Sequence, residues 1–132
     1  MWHLSKRSEY GLLFLVSLAQ PSNHKYKSIR IISEEKDLPY RFLSQIASEL
    51  KKAKLINSKE GKGGGYYLMK KPEDIKVTDI IAVLDEPIGL VDCQRHKGCK
   101  KKDTCTLYPV WKKIQGEVCD TLNKYSINDF ID

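Results

Sequence analysis

Pro39-Tyr40-Arg41-Phe42-Leu43-Ser44-Gln45-Ile46-Ala47-Ser48-Glu49-Leu50-Lys51-Lys52-Ala53 is the stretch on which the fold turns. Leu43, Ile46, Ala47 and Leu50 fall at i, i+3, i+4 and i+7, the spacing that lines one buried face of an α-helix. Arg41, Ser44, Gln45, Ser48 and Lys52 fall on the opposite face. Pro39 costs little in a first helical turn, where its missing N–H would have no intrahelical partner. Upstream, Asp37-Leu38-Pro39 reads as a tight turn, and Ser28 is placed to cap a short helix reaching about Lys36. Downstream, Leu55-Ile56-Asn57-Ser58 and Tyr66-Tyr67-Leu68-Met69 flank Lys59-Glu60-Gly61-Lys62-Gly63-Gly64-Gly65, which predicts a β-hairpin. Two helices, a tight turn and a basic hairpin make a winged helix-turn-helix. The fold class expected is mainly α with a small β-hairpin wing.

Working outward, Ser5 can cap a first helix to about Ala19, with Tyr10, Leu13, Phe14 and Ser17 on one face. Gly11 to Ala19 is apolar nearly all round, so this helix should be buried against several neighbours. After Pro72 the character changes. Val77 to Asp85 predicts a short amphipathic helix closed by Glu86-Pro87, and Gly89 to Thr104 forms a cysteine-bearing loop. A long helix starts at Thr106, with Pro109 tolerated in its first turn. Leu107, Val110, Trp111, Ile114, Val118, Leu122 and Tyr125 make an apolar stripe along it, the pattern of a dimerisation helix. The domain division expected is a DNA-binding winged helix-turn-helix over 1–71, then the loop and dimerisation helix over 72–132.

The charge agrees with that division. The chain of 132 residues carries a net +6. Residues 1–71 hold 14 Lys and Arg against 6 Asp and Glu, and residues 72–132 hold 9 against 11. All the positive excess lies in the first half, as expected of a polyanion-binding module joined to a non-binding one. On the outward face of the third helix, Arg41 can reach guanine in bidentate fashion and Gln45 can read adenine. Ser44 can bond a base or a phosphate. Lys59 and Lys62 at the hairpin would meet the backbone or the minor groove. Ser28 and Tyr40, at the starts of their helices, complete the candidate DNA contacts. The glycines do not bind a nucleotide, because no helix follows them to present its N-terminus to a phosphate. With only His3, His24 and His96, no nucleophile-and-base signature stands out, so no enzyme is expected. The longest largely apolar run, Leu12 to Leu18, is too short to span a bilayer. The N-terminus lacks a secretory layout, so a cytoplasmic protein with no membrane partner is expected.

Cys93, Cys99 and Cys105 recur at a spacing of six within Cys-Gln-Arg-His-Lys-Gly-Cys-Lys-Lys-Lys-Asp-Thr-Cys. Arg95, Lys97, Lys100, Lys101 and Lys102 outnumber Asp103 there and favour the thiolate, the form that binds metal or reacts with oxidants. In a reducing compartment such clusters are more often metal-binding or redox-active than structural disulfides. The spacing is too wide for zinc-finger pairs and does not match the ferredoxin runs. Cys119 lies 14 residues beyond Cys105, roughly 20 Å if the interval is helical, and reads as a small core residue. An iron–sulfur cluster, a thiol switch through Cys93–Cys99 or a related pair, and a structural zinc site all remain open on these residues. So does docking of a protein partner on the long helix.

Leu4-Ser5-Lys6, Leu43-Ser44-Gln45-Ile46, Gly63-Gly64-Gly65-Tyr66, Val77-Thr78-Asp79-Ile80-Ile81 and Asp85-Glu86-Pro87 occur in that order, with the cysteine triplet after them. In this the chain resembles the bacterial winged-helix regulator family of the iron–sulfur cluster regulator IscR and the nitric-oxide-sensing repressor NsrR. The resemblance covers almost the whole chain. It implies a homodimer that binds palindromic promoter DNA, most often as a repressor, with an affinity set by the state of a [2Fe-2S] or [4Fe-4S] cluster. Cys93, Cys99 and Cys105 would be its ligands. IscR-like members place a histidine ligand three residues after the last cysteine, where this chain has Tyr108. Other members take a carboxylate from the first helix of the partner subunit, and the matching position is Glu9. The wing also departs from the pattern, with Glu60 and Lys62 in place of the common Arg and Pro.

Overall fold

Ser5 opens the first helix: its Oγ accepts the Ser8 N–H at 3.2 Å, and helix α1 runs Lys6–Ala19. In this computed structural model residues 3–85, 88–89 and 104–131 are described. Ser28 caps α2 (Ile29–Lys36) in the same way, its Oγ accepting the Ile31 N–H. Asp37 then takes a left-handed conformation at φ 53° and turns the chain into α3, Tyr40–Lys52. Pro39 stands just outside that helix as its N-cap residue. The hairpin pairs β1 (Ile56–Lys59) with β2 (Gly65–Leu68), antiparallel, Ile56 opposite Leu68 and Lys59 opposite Gly65. Helix α4 follows at Val77–Leu84, and α5 spans Tyr108–Asn123. These are the helices and the wing expected from the sequence.

The main core gathers Phe14, Leu15, Ile32, Leu43, Ile46, Leu50 and Ile56 with Ile75, Ile80, Leu84 and Ile127. It therefore continues past residue 71, and the chain after α5 returns to it. There the Val77 N–H donates to Tyr125 O, and the Ile127 N–H donates to Ile75 O, each at 3.0 Å. A smaller cluster of Val77, Ile81 and Ile88 carries half-buried Leu4, Val118, Cys119 and Leu122 against it. Cys119 is thus packed at the edge of a satellite cluster and half-exposed, not enclosed in a core.

The buried face of α1 differs from the expected one. Ser8, Gly11, Phe14, Leu15, Val16 and Ser17 are buried, while Leu13 is exposed and Tyr10 half-buried. Helix α1 lies against α2, α3, α4, β2 and the terminal turn Ile127–Phe130. A helix apolar on all sides carries no periodicity to orient it, so its neighbours decide which face closes. At Gly11 a Cβ would come within 2.2 Å of a Leu84 methyl, so the α1–α4 crossing is built on a glycine.

Candidate nucleic-acid interface and cysteine site

The α3 pattern that buries Leu43, Ile46, Ala47 and Leu50 necessarily turns Arg41, Ser44, Gln45 and Ser48 outward, and all four are exposed. Tyr40 and Phe42 beside them are exposed too. Phe42 is steadied edge-on by Tyr10, with ring centroids 6.1 Å apart. Helix α3 is tied to its surroundings at two places. Arg7 of α1 pairs with Glu49, and the Lys51 ammonium donates to Ser58 Oγ of β1 at 2.8 Å.

Ser28, Tyr40 and Lys59 line one open groove between the start of α2, the start of α3 and the wing. Arg30, Lys51, Glu60 and Tyr66 share its walls. The structure thus brings three of the sequence-nominated residues together and adds two cations the sequence did not nominate, Arg30 and Lys51. Ser28 is half-buried because its hydroxyl is occupied as the α2 cap. Lys62 stands at the wing tip between Gly61 (φ 98°) and Gly63 (φ 77°), where the Gly64 N–H closes the turn onto Gly61 O at 3.0 Å.

The wing is anchored from behind by a lysine the sequence did not single out. Lys27 pairs with Tyr66 of β2 through two backbone hydrogen bonds. Its buried ammonium donates to Ser17 O at 2.6 Å and Ser17 Oγ at 3.3 Å, and pairs with Glu35 at 2.9 Å. Burial pushes the Glu35 carboxyl up. Hydrogen bonds from Lys27 and Ser17, with the charges of Lys27 and Lys36, outweigh that and hold it below the ordinary glutamate range.

Of the nominated cluster ligands, Cys93 and Cys99 lie outside the described residues. Cys105 is a half-buried free thiol just before α5, its carbonyl accepting the Tyr108 N–H at 3.3 Å. Glu9 lies in the first turn of α1, about half exposed, with its carboxylate 3.0 Å from Lys6 Nζ. That hydrogen bond and the Glu9 charge hold the Lys6 ammonium above the ordinary lysine range. Among the described residues no three His, Cys, Asp or Glu side chains gather as a metal site. The nominated donors, three thiols and an accessible carboxylate, are of the chemical kind that iron accepts. Asp85, which precedes the loop in sequence, is itself tied to the start of α1. Its Oδ2 accepts the Ser5 N–H at 3.0 Å and the buried Ser8 hydroxyl at 3.1 Å.

A helix-turn-helix with an exposed polar face, flanked by a basic glycine-rich wing, defines a winged-helix DNA-binding protein. The pattern of the Rrf2 family, described as an iron-dependent transcriptional regulator, matches residues 4–132, and the chain belongs to that family. IscR of Pectobacterium carotovorum is 28% identical over 128 residues, 97% of this chain and 78% of that protein. IscR of Escherichia coli is 27% identical over 97% of this chain and 79% of its own. Among solved structures, CymR, the global cysteine regulator of B. subtilis, superposes with a TM-score of 0.78 at 29% identity, covering 98% of this chain and 96% of that one. T. potens IscR superposes at 0.76 and 28% identity, over 98% and 85%. The protein is therefore a DNA-binding transcriptional regulator and not an enzyme. No helix among the described residues is long and apolar enough to cross a membrane.

Proposed function

We propose that the protein is a homodimeric repressor whose Cys93, Cys99 and Cys105, with Glu9 from the partner subunit, hold an iron–sulfur cluster and thereby set its affinity for a palindromic operator. The observation that carries this reading is the position of the triplet. It follows Asp85, which holds the Ser5–Ser8 end of α1, and α1 packs directly on α2 and α3. A cluster there would supply chemistry sensitive to oxidants, iron supply and nitric oxide. The chain's own residues do the rest. Glu9 is a lever on α1. A change of its partner at the first turn would be passed through α1, which packs on α2 and α3, to the recognition face. Dimeric readers must hold two recognition helices about one DNA turn apart, so a small rotation of α1 alters binding. On the DNA, Arg41, Ser44 and Gln45 read bases, while Ser28, Tyr40, Lys59 and Lys62 hold the backbone. The 1–71 segment carries these contacts, and 72–132 carries the cluster and the dimer.

A second reading keeps the DNA binding and replaces the cluster with direct thiol chemistry among the same cysteines. The likeness to Staphylococcus aureus CymR, whose structure is known in an oxidized form, supports it. One experiment separates the two: an absorption spectrum of protein purified without oxygen, with iron and acid-labile sulfide counted per chain. A brown protein holding both elements near cluster stoichiometry supports the first reading. A colourless protein that stays iron-free after anaerobic reconstitution sinks it and leaves the thiol switch.

A further inference from the structure

The outer side of the wing carries an aromatic–cation group centred on Tyr26. Its backbone is held by its neighbour Lys27, which is bridged to Tyr66 and buried between α1 and α2. From that fixed point the Tyr26 ring packs edge-on against Tyr67 of β2, with centroids 5.4 Å apart and planes at 70°. Two ammonium groups approach the same ring. Lys25 Nζ lies 5.6 Å from its centroid and Lys59 Nζ lies 5.3 Å from it.

Both lysines are exposed, and an exposed lysine ordinarily samples many rotamers and loses that freedom on binding. Attraction to the ring's electron-rich face restricts both chains beforehand. Two ammonium groups, each within 5.6 Å of one ring's centroid, repel one another, and an anion bound by both offsets that repulsion. On a basic wing the anion at hand is a DNA phosphate. We propose that Tyr26 is a positioning residue for DNA, which gathers Lys25 and Lys59 into a two-ammonium fork that takes one phosphate of the duplex. This rests on the reading of Lys59 as a backbone contact and adds Lys25 and Tyr26 to the interface.

The test is the salt dependence of binding to a short random-sequence duplex, which needs no known operator. Each phosphate contact contributes about 0.9 to the slope of log K against log salt. Lys59→Met and Tyr26→Leu should each lower the slope by up to about 0.9, and combining them should lower it no further. Tyr26→Phe keeps the ring and should keep the wild-type slope. A Tyr26→Leu protein with the wild-type slope, beside a Lys59→Met protein with a lowered one, overturns the positioning role and leaves Lys59 as a contact. An unchanged slope in Lys59→Met and also in the Lys25→Met/Lys59→Met double variant removes that contact and the fork with it. Lys25→Met and Lys59→Met are surface changes that fold regardless of Tyr26. Together they should cost one phosphate's worth of slope, and a loss of about 1.8 would mean two separate contacts and no fork.

Discussion

Asp85 and Ser8 are 77 residues apart in sequence, and their side chains meet: the buried Ser8 hydroxyl donates to Asp85 Oδ2 at 3.1 Å. The same oxygen accepts the Ser5 N–H at 3.0 Å, so a remote carboxylate supports the start of α1. Carboxylates are favourable at helix N-termini, where N–H groups lack intrahelical acceptors. Asp85→Ala strands a buried hydroxyl and a backbone donor, and should destabilise the fold by about 1–3 kcal/mol. Ser8→Ala removes one bond only, and should cost less. Urea denaturation of the two variants measures the order. Equal midpoints for both variants and wild type would mean that the carboxylate does nothing for α1.

Lys27 and Glu35 are paired asymmetrically, with side-chain exposures of 5% and 37%. Glu35→Ala leaves a buried ammonium facing only Ser17 O and Oγ, whereas Lys27→Met leaves a carboxylate that water still reaches. Removing one partner of a buried pair is damaging mainly through the charge left behind. Glu35→Ala should therefore cost about 3 kcal/mol and Lys27→Met nearer 1 kcal/mol. A larger loss in Lys27→Met would show that the pair does not govern this site.

The same pair gives a pH dependence. Glu35 is held below its ordinary range when folded, so its contribution is complete above the unfolded value of about 4.3. That contribution is lost as pH falls through the lower folded value. The urea midpoint should fall on acidification below about pH 4.3, and the fall should be shallower in Lys27→Met, where the main opposing influence on Glu35's desolvation is gone. Identical acid limbs would contradict this.

What the sequence revealed follows from which residues carry their own context. Ser5 and Ser28 sit immediately before apolar-periodic runs, and both cap the helices they announced. Leu43, Ile46, Ala47 and Leu50 fixed the outward face of α3 before any contact was known, because an amphipathic helix has only one way to be buried. Lys27 was opaque: within Lys25-Tyr26-Lys27-Ser28 it reads as a solvated charge, and its partners Ser17 and Glu35 come from two other helices. Asp85 was equally opaque, legible as a helix end but not as the acceptor for Ser8. Leu13, expected on the buried face, is exposed because α1 is apolar on every side and its neighbours decide which face closes.

Arg41 and Lys62 should separate by specificity. A bidentate contact to one base discriminates by about 1–3 kcal/mol. Arg41→Ala should therefore weaken operator binding by roughly 5- to 150-fold and random-duplex binding far less. A Lys62 that meets only the backbone predicts that Lys62→Ala weakens both to a similar extent and lowers the salt slope. Fluorescence anisotropy on an operator and a scrambled duplex decides. Equal losses on both DNAs in Arg41→Ala would remove it from base reading.

Helix α5 presents an apolar face that the proposed dimer would cover. Its 16 residues extend roughly 24 Å, yet none is buried in the isolated chain. Val118, Cys119 and Leu122 lean on the Val77–Ile81–Ile88 cluster. Val110 is 61% and neighbouring Leu107 62% exposed, while Trp111 and Ile114 are half-buried. Side chains of that size are each worth about 1.5–3 kcal/mol when removed from water, so a second copy of the same helix is the natural cover. Val110→Asp introduces a charge at that face without touching the intrachain cluster. Sedimentation equilibrium should show the wild type as a dimer and Val110→Asp shifted toward monomer, with the helical circular dichroism of each subunit retained. Operator affinity should fall with dimerisation, since each half-site then binds alone. A Val110→Asp protein that stays dimeric at the same concentration would place the dimer interface elsewhere and free this stripe for another partner.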